Sequence, residues 1–181
     1  MREGSIRQRV HEPHAVRDFG IRALTALLMG AVLIVADVWG GMLGWAVAVA
    51  IVAAMCAAEF YALMRAEHRK TNQVLGVLAA AAMPLATARS ASQGLAGTGA
   101  SSSSELGPIG LAVVTGGLVV AALVWNLVFQ QVDYSDTTTT VFGAVYTGFL
   151  LSHLVLLRAL DSGVELVLIT LFGVWAMDVI A

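Results

Sequence analysis

The chain has 181 residues, of which 59% are hydrophobic and 12% are charged, and its mean hydropathy is +0.84. About a quarter of the residues of a typical soluble domain are charged, so this composition excludes a soluble globular protein and indicates an integral membrane protein. The net charge of −2 gives no reason to expect a nucleic-acid partner, and we predict none. A single cysteine, Cys56, excludes a disulfide or a thiolate metal site within one chain.

The N-terminal segment, residues 1–22, is polar and contains five arginines. It is too long and too polar to begin a secretory signal, and we predict a solvated arm that lies on anionic head groups. Residues 23–58 are apolar apart from Asp37. A single helix of this length would measure about 54 Å, against about 30 Å of hydrocarbon. Gly40 and Gly41 therefore predict a tight turn between two short spans.

The rest of the chain alternates between apolar and polar segments. Residues 59–70 are polar. Residues 89–107 are rich in Ser, Gly and Ala and predict a flexible loop, and residues 130–140 are polar and predict a second loop. We predict an all-α, polytopic transmembrane protein in which residues 23–181 form about six spans. The predicted spans are residues 23–36, 42–58, 74–88, 108–129, 141–157 and 164–178.

Basic residues predict the orientation of these spans. The arm and residues 59–70 contain eight of the ten Lys and Arg residues, and with six spans both segments lie on the same side. The positive-inside rule assigns that side to the cytoplasm, so we predict a multi-pass protein of the plasma membrane with a cytoplasmic N-terminus. The acidic segment at residues 130–140 contains no Lys or Arg and does not bear on this prediction.

Asp178 is the strongest candidate for chemistry. A carboxylate at the end of a membrane-length apolar segment is costly unless it is paired, hydrated or functional. On the predicted topology it lies at the cytoplasmic boundary, where it could hold a hard cation such as Mg²⁺ that in turn binds phosphates. The alternative is an interfacial residue that only ends a helix.

Three further residues are weaker candidates. His153 shares a helix face with Tyr146 and could relay protons or contact substrate, but a packing histidine is the commoner case. Arg158 ends the same span, where it could bind a lipid phosphate or only anchor the helix. Glu59 is expected to pair with Arg65 or His68 in a structural role.

Three stretches carry a resemblance to a known family. They are Arg22 through the hairpin to Glu59-Phe-Tyr61, then Tyr146-Thr-Gly148 through Leu-Leu-Arg158, and finally Trp175-Ala-Met-Asp178-Val-Ile-Ala181. In order and spacing they resemble the opening helices and Glu-Phe-Tyr corner, the Tyr-x-Gly helix, and the Trp-x-x-Asp-Thr-x-Ala-Tyr element of the membrane-bound phosphatidate cytidylyltransferases, or CDP-diacylglycerol synthases. Val179 stands where that family usually has Thr.

The resemblance implies a nucleotidyltransferase of phospholipid biosynthesis that joins CTP and phosphatidic acid to give CDP-diacylglycerol and pyrophosphate, with Mg²⁺ as cofactor. It implies Asp178 as a metal ligand, and a homodimer is compatible with it. The family's C-terminal signature of Ser-Pro-x-Lys, Lys-Asp, His-Gly-Gly and Asp-Arg elements does not occur in this sequence. We therefore expect the N-terminal, mostly scaffolding portion of such an enzyme, incomplete at its C-terminus and inactive alone.

Two interpretations from other classes stay open. Glycine-bearing spans with an intramembrane His and a terminal Asp also occur in transporter subunits, and the chain could be a non-catalytic membrane scaffold. An inverted repeat between the first and last three spans would favour the transporter, and the sequence shows none.

Overall fold

The computed structural model describes residues 27–96, 103–128 and 133–180, and side chains within 27–92, 109–128 and 133–177. The predicted basic arm at residues 1–22 lies outside these ranges. The chain divides into two compact units, Met1–Val35 and Ala36–Ala181. In the first unit, the structure describes residues 27–35, and these are helical.

All regular structure in the described ranges is helical. Six helices are seen there: α1 (Leu27–Trp39), α2 (Gly41–Ala66), α3 (Gln73–Ala96), α4 (Ser103–Val128), α5 (Tyr134–Arg158) and α6 (Gly163–Ile180). Helix α5 contains one wider π turn, Val145–Phe149.

Helix length and composition match a membrane protein. Helices α2 and α5, residues Gln73–Ser92 of α3 and residues Ile109–Val128 of α4 are each long and apolar enough to cross a bilayer. Helices α1 and α6 are shorter apolar helices. The protein is thus an all-α, polytopic transmembrane protein, which confirms the predicted fold class. The span limits themselves stay predictions.

The break predicted at Gly40 and Gly41 is present, because α1 ends at Trp39 and α2 begins at Gly41. Gly41 has a φ of +61°, a conformation in which a side chain would be strained. At Gly40, an added Cβ would collide with the carbonyl oxygen of Ala36. The two glycines are needed for different reasons, one for its backbone angle and the other for space.

Two predicted loops are partly helical. Residues 89–96 continue α3, and α4 already begins at Ser103. Residues 134–140 form the first turns of α5, where Thr138, Thr139 and Thr140 donate their hydroxyl hydrogen bonds to the carbonyls four residues earlier. Because these threonines satisfy their hydroxyls within the helix, a polar sequence at this point does not indicate a loop.

Helix α3 packs against α2, α4 and α5, while α6 packs against the C-terminal part of α5. Small residues allow the closest approaches. An added Cβ at Gly148, in the π turn of α5, would lie 2.6 Å from the Cα of Ala80 in α3. Pro84 lies four residues after Ala80 and cannot donate a backbone hydrogen bond to that residue's carbonyl. The two helix backbones therefore meet where both are irregular.

Candidate functional site

A buried ion pair joins the start of the second unit to the end of α5. The Nε atom of Arg158 lies 2.8 Å from Oδ1 of Asp37, and its Nη2 donates a 3.2 Å hydrogen bond to the Asp37 backbone oxygen. The Asp37 side chain is fully buried, whereas the Arg158 side chain is 19% exposed. The ion pair connects residues that are 121 positions apart.

The hydrogen bonding of this pair is incomplete. Arg158 Nε and Asp37 Oδ1 are in ionic contact, but their geometry is not that of a hydrogen bond, and Asp37 Oδ2 has no partner within the described part of the chain. A buried charge is costly unless a counter-charge offsets its lost hydration. The Asp37 carboxylate therefore depends on Arg158 as its counter-charge.

A second polar cluster lies where the α2–α3 connection meets the start of α5. Arg69 donates a hydrogen bond from Nη1 to the Ser135 hydroxyl, and the same atom lies 3.8 Å from Oδ1 of the buried Asp136. The backbone N–H of Asn72 donates to Oγ1 of Thr140 at 3.0 Å. We call these five residues the Arg69–Asp136 cluster.

The cluster continues into the packed core through Tyr61. This side chain is fully buried, and its hydroxyl donates a 2.6 Å hydrogen bond to the backbone oxygen of Thr140. Gly76 leaves room for the ring, because an added Cβ there would collide with Tyr61. Helices α2, α3 and α5 are thereby fixed to one another at this end of the bundle.

An open apolar groove of about 410 Å³ lies between α4 and α5. We call it the α4–α5 groove. Its walls are mainly aliphatic, with two threonines at the N-terminal end of α5; the lining residues are Val119, Ala122, Leu123, Thr137, Thr138, Val141, Phe142 and Val145.

A small recess of about 10 Å³, lined by both polar and apolar residues, adjoins the groove and shares Ala122 and Thr137 with it. We call it the Lys70 recess; its other lining residues are Lys70, Asn72, Leu75, Trp125 and Thr140. Together the two depressions are apolar over most of their length and cationic at one end.

The structure gives side-chain contacts for two of the three predicted site residues. Arg158 contacts Asp37. His153 is exposed, its Nδ1 lies 2.9 Å from the carbonyl oxygen of Phe149, and its ring makes an edge contact with the Phe149 ring. Asp178 belongs to α6, but its side chain lies outside the described ones. Their predicted roles in binding metal and substrate stay predictions.

Two other expectations concern pairing and metal binding. Glu59 is in neither of the two ion pairs found in the described residues, so the expected pairing with Arg65 or His68 is wrong. Within the described ranges, no three His, Cys, Asp or Glu side chains are grouped closely enough to hold a metal ion. Mg²⁺ is commonly held by one or two carboxylates together with water and substrate phosphates. A lone Asp178 fits that donor chemistry as one ligand.

The Asp37–Arg158 pair and the Lys70 recess were not predicted from the sequence. A signal for the pair exists, because Asp37 and Arg158 are each an isolated charge beside an apolar segment, and such charges commonly pair with one another. No sequence signal marks the recess, whose lining comes from three separate segments of the chain.

The bundle of apolar helices of membrane length, with polar clusters at helix ends, defines a polytopic transmembrane protein. A comparison with family models matches residues 20–181 to the cytidylyltransferase family. Because the match spans most of the chain, the protein belongs to that family. Searches of curated proteins and of solved structures found no match.

Proposed function

We propose that this chain is the N-terminal membrane portion of a phosphatidate cytidylyltransferase, which converts CTP and phosphatidic acid into CDP-diacylglycerol and pyrophosphate. The observation that carries the proposal is the family match over residues 20–181 on a bundle of membrane-length helices. A cytidylyltransferase embedded in a bilayer meets its acceptor in the membrane, and a lipid with a terminal phosphate is an acceptor of the required kind.

In the proposed reaction, a phosphate oxygen of phosphatidic acid attacks the α-phosphorus of CTP. The new P–O bond forms as the bond to the β-phosphate breaks, and pyrophosphate leaves with the displaced electron pair. Mg²⁺, when bound, offsets the negative charge that gathers on the phosphates. Asp178 would supply one carboxylate ligand. The C-terminal part of α5, against which α6 packs, would help to position α6.

We propose a plasma-membrane location with the N-terminus in the cytoplasm, because CTP is a cytoplasmic, water-soluble substrate. The exposed Arg65, Arg69 and Lys70 at the α2–α3 connection support this orientation. Cysteine labelling on a Cys56→Ala background tests it. Ser102→Cys is expected to react from the external face, and labelling only from the cytoplasmic face would contradict the orientation.

Binding of CTP tests the function directly. The purified chain, in nanodiscs that contain phosphatidic acid, is expected to retain radiolabelled CTP in a Mg²⁺-dependent way. Asp178→Asn should shift the Mg²⁺ requirement upward by at least about tenfold, since loss of even an outer-shell partner costs that much. Asp161→Asn is the matched control, because Asp161 is an exposed carboxylate in the turn before α6.

Turnover is a separate measurement. We expect the isolated chain to form no CDP-diacylglycerol above an empty-membrane control, because the reaction needs several positioned charges besides Asp178. Turnover would contradict the proposed inactivity but support the reaction. The absence of both Mg²⁺-dependent CTP binding and turnover, together with ion or solute flux in proteoliposomes, would instead favour a transporter.

A further inference from the structure

The α4–α5 groove is an open, apolar depression between two helices of membrane length. Its two helices are both long and apolar enough to cross a bilayer, and the side chains on its walls remain exposed, with Leu123 at 58% and Phe142 at 57%. Along α5 the lining runs from Thr137 to Val145, which is about 12 Å of helix. Because both helices have the length and composition of membrane spans, we expect lipid hydrocarbon to surround this surface, and an acyl chain is the ligand that suits its apolar walls.

The two ends of the groove differ in polarity. Val119 and Val145 are aliphatic, whereas Thr137 and Thr138 bring hydroxyls to the end that adjoins the Lys70 recess. Lys70 is exposed and forms no ion pair with any described residue, in contrast to its neighbour Arg69, which contacts Asp136. An ammonium group that forms no ion pair within the described residues therefore lies at the polar end of an apolar groove.

We propose that the α4–α5 groove and the Lys70 recess together bind one anionic phospholipid, with an acyl chain in the groove and the phosphate group at Lys70. Apolar contact alone gives little selectivity, because lipid tails are as apolar as the groove walls and a chain gains no hydrophobic free energy by moving between them. Selectivity comes from charge at the head group. A neutral phospholipid would leave Lys70 without a net counter-charge.

This site does not depend on the proposed reaction. Phosphatidylglycerol is the appropriate probe, because its phosphodiester has no terminal phosphate that could attack a nucleotide. Retention of this lipid can therefore succeed or fail whether or not the chain binds CTP.

The test uses the full chain in nanodiscs that contain equal amounts of dioleoylphosphatidylglycerol and dioleoylphosphatidylcholine. After transfer to detergent, native mass spectrometry counts the lipids that stay bound. We expect a preference for phosphatidylglycerol of about fivefold, which corresponds to about 1 kcal/mol for one basic residue near a membrane surface. Lys70→Gln should abolish this preference. Arg65→Gln should keep it, because Arg65 is an exposed cation outside the recess.

A second pair of variants tests the groove itself. Val119→Trp places a large side chain in the lining and should lower retention of both lipids severalfold. Val120→Trp changes the next residue, which is 61% exposed and does not line the groove, and should bind lipid like the wild type. Helical content and a single size-exclusion peak identify the variants that are folded.

Three outcomes would overturn the proposal. They are equal retention of the two lipids by the wild type, a wild-type preference in folded Lys70→Gln, and loss of a dimer mass in Val119→Trp with lipid retention unchanged. The last would mean that a second copy of the chain covers the groove.

Discussion

Removing the guanidinium group of Arg158 tests whether the buried ion pair stabilises the bundle. Arg158→Met keeps an unbranched side chain but leaves the fully buried Asp37 without its counter-charge. Loss of one partner of a buried pair costs about 3–5 kcal/mol. Because Arg158 keeps 19% of its side-chain exposure, we expect the lower end, about 3 kcal/mol, which is on the order of 10²-fold in the unfolding equilibrium.

The measurement is reversible unfolding in mixed micelles with an increasing fraction of denaturing detergent, followed by circular dichroism. Arg89→Met is the control, because Arg89 is exposed and is in no ion pair of the described residues. It should change the free energy of unfolding by no more than about 0.5 kcal/mol. If Arg158→Met matched this control, the reasoning from burial and counter-charge would be wrong.

A double substitution separates the pair from its two members. Asp37→Leu combined with Arg158→Met removes both charges, and replacement of a whole buried pair by apolar residues is often neutral or stabilising. The double variant should therefore be more stable than Arg158→Met alone. Strict additivity of the two single effects would show that the two side chains do not interact.

Two further predictions concern packing and hydrogen bonding, and both use the same unfolding measurement. Gly148→Ala should destabilise by about 1–3 kcal/mol, because its Cβ would meet the Ala80 backbone. An added Cβ at Gly116 would meet nothing within 4 Å, so Gly116→Ala should raise the free energy of unfolding by about 0.5–1 kcal/mol. If both substitutions changed the free energy of unfolding in the same direction, the close approach of Gly148 to Ala80 would be refuted. Tyr61→Phe should lower the free energy of unfolding by about 1 kcal/mol, because it removes the hydrogen bond to the backbone oxygen of Thr140. Tyr134→Phe, 78% exposed, should be neutral, and equal effects would contradict the buried bond.

Composition and local pattern determined the class of protein and much of the helix order. Apolar segments of membrane length predict helices, because only an internally hydrogen-bonded backbone is stable in hydrocarbon. Gly40 and Gly41 predict the break after α1, because a local turn is encoded by the residues that form it. The same local logic failed at residues 134–140. A polar threonine run can satisfy its hydroxyls inside a helix as well as in a loop, and the sequence does not distinguish the two.

Tertiary structure alone decided which distant groups meet. Asp37 and Arg158 are each visible in the sequence as isolated charges, but their pairing depends on how the end of α5 packs against the start of the second unit. The Lys70 recess likewise depends on the relative placement of α4, α5 and the α2–α3 connection. The physical reason is the sequence separation of the interacting groups. Helical hydrogen bonds join residues a few positions apart, whereas the counter-charge of Asp37 comes from a residue 121 positions away that only tertiary packing brings close.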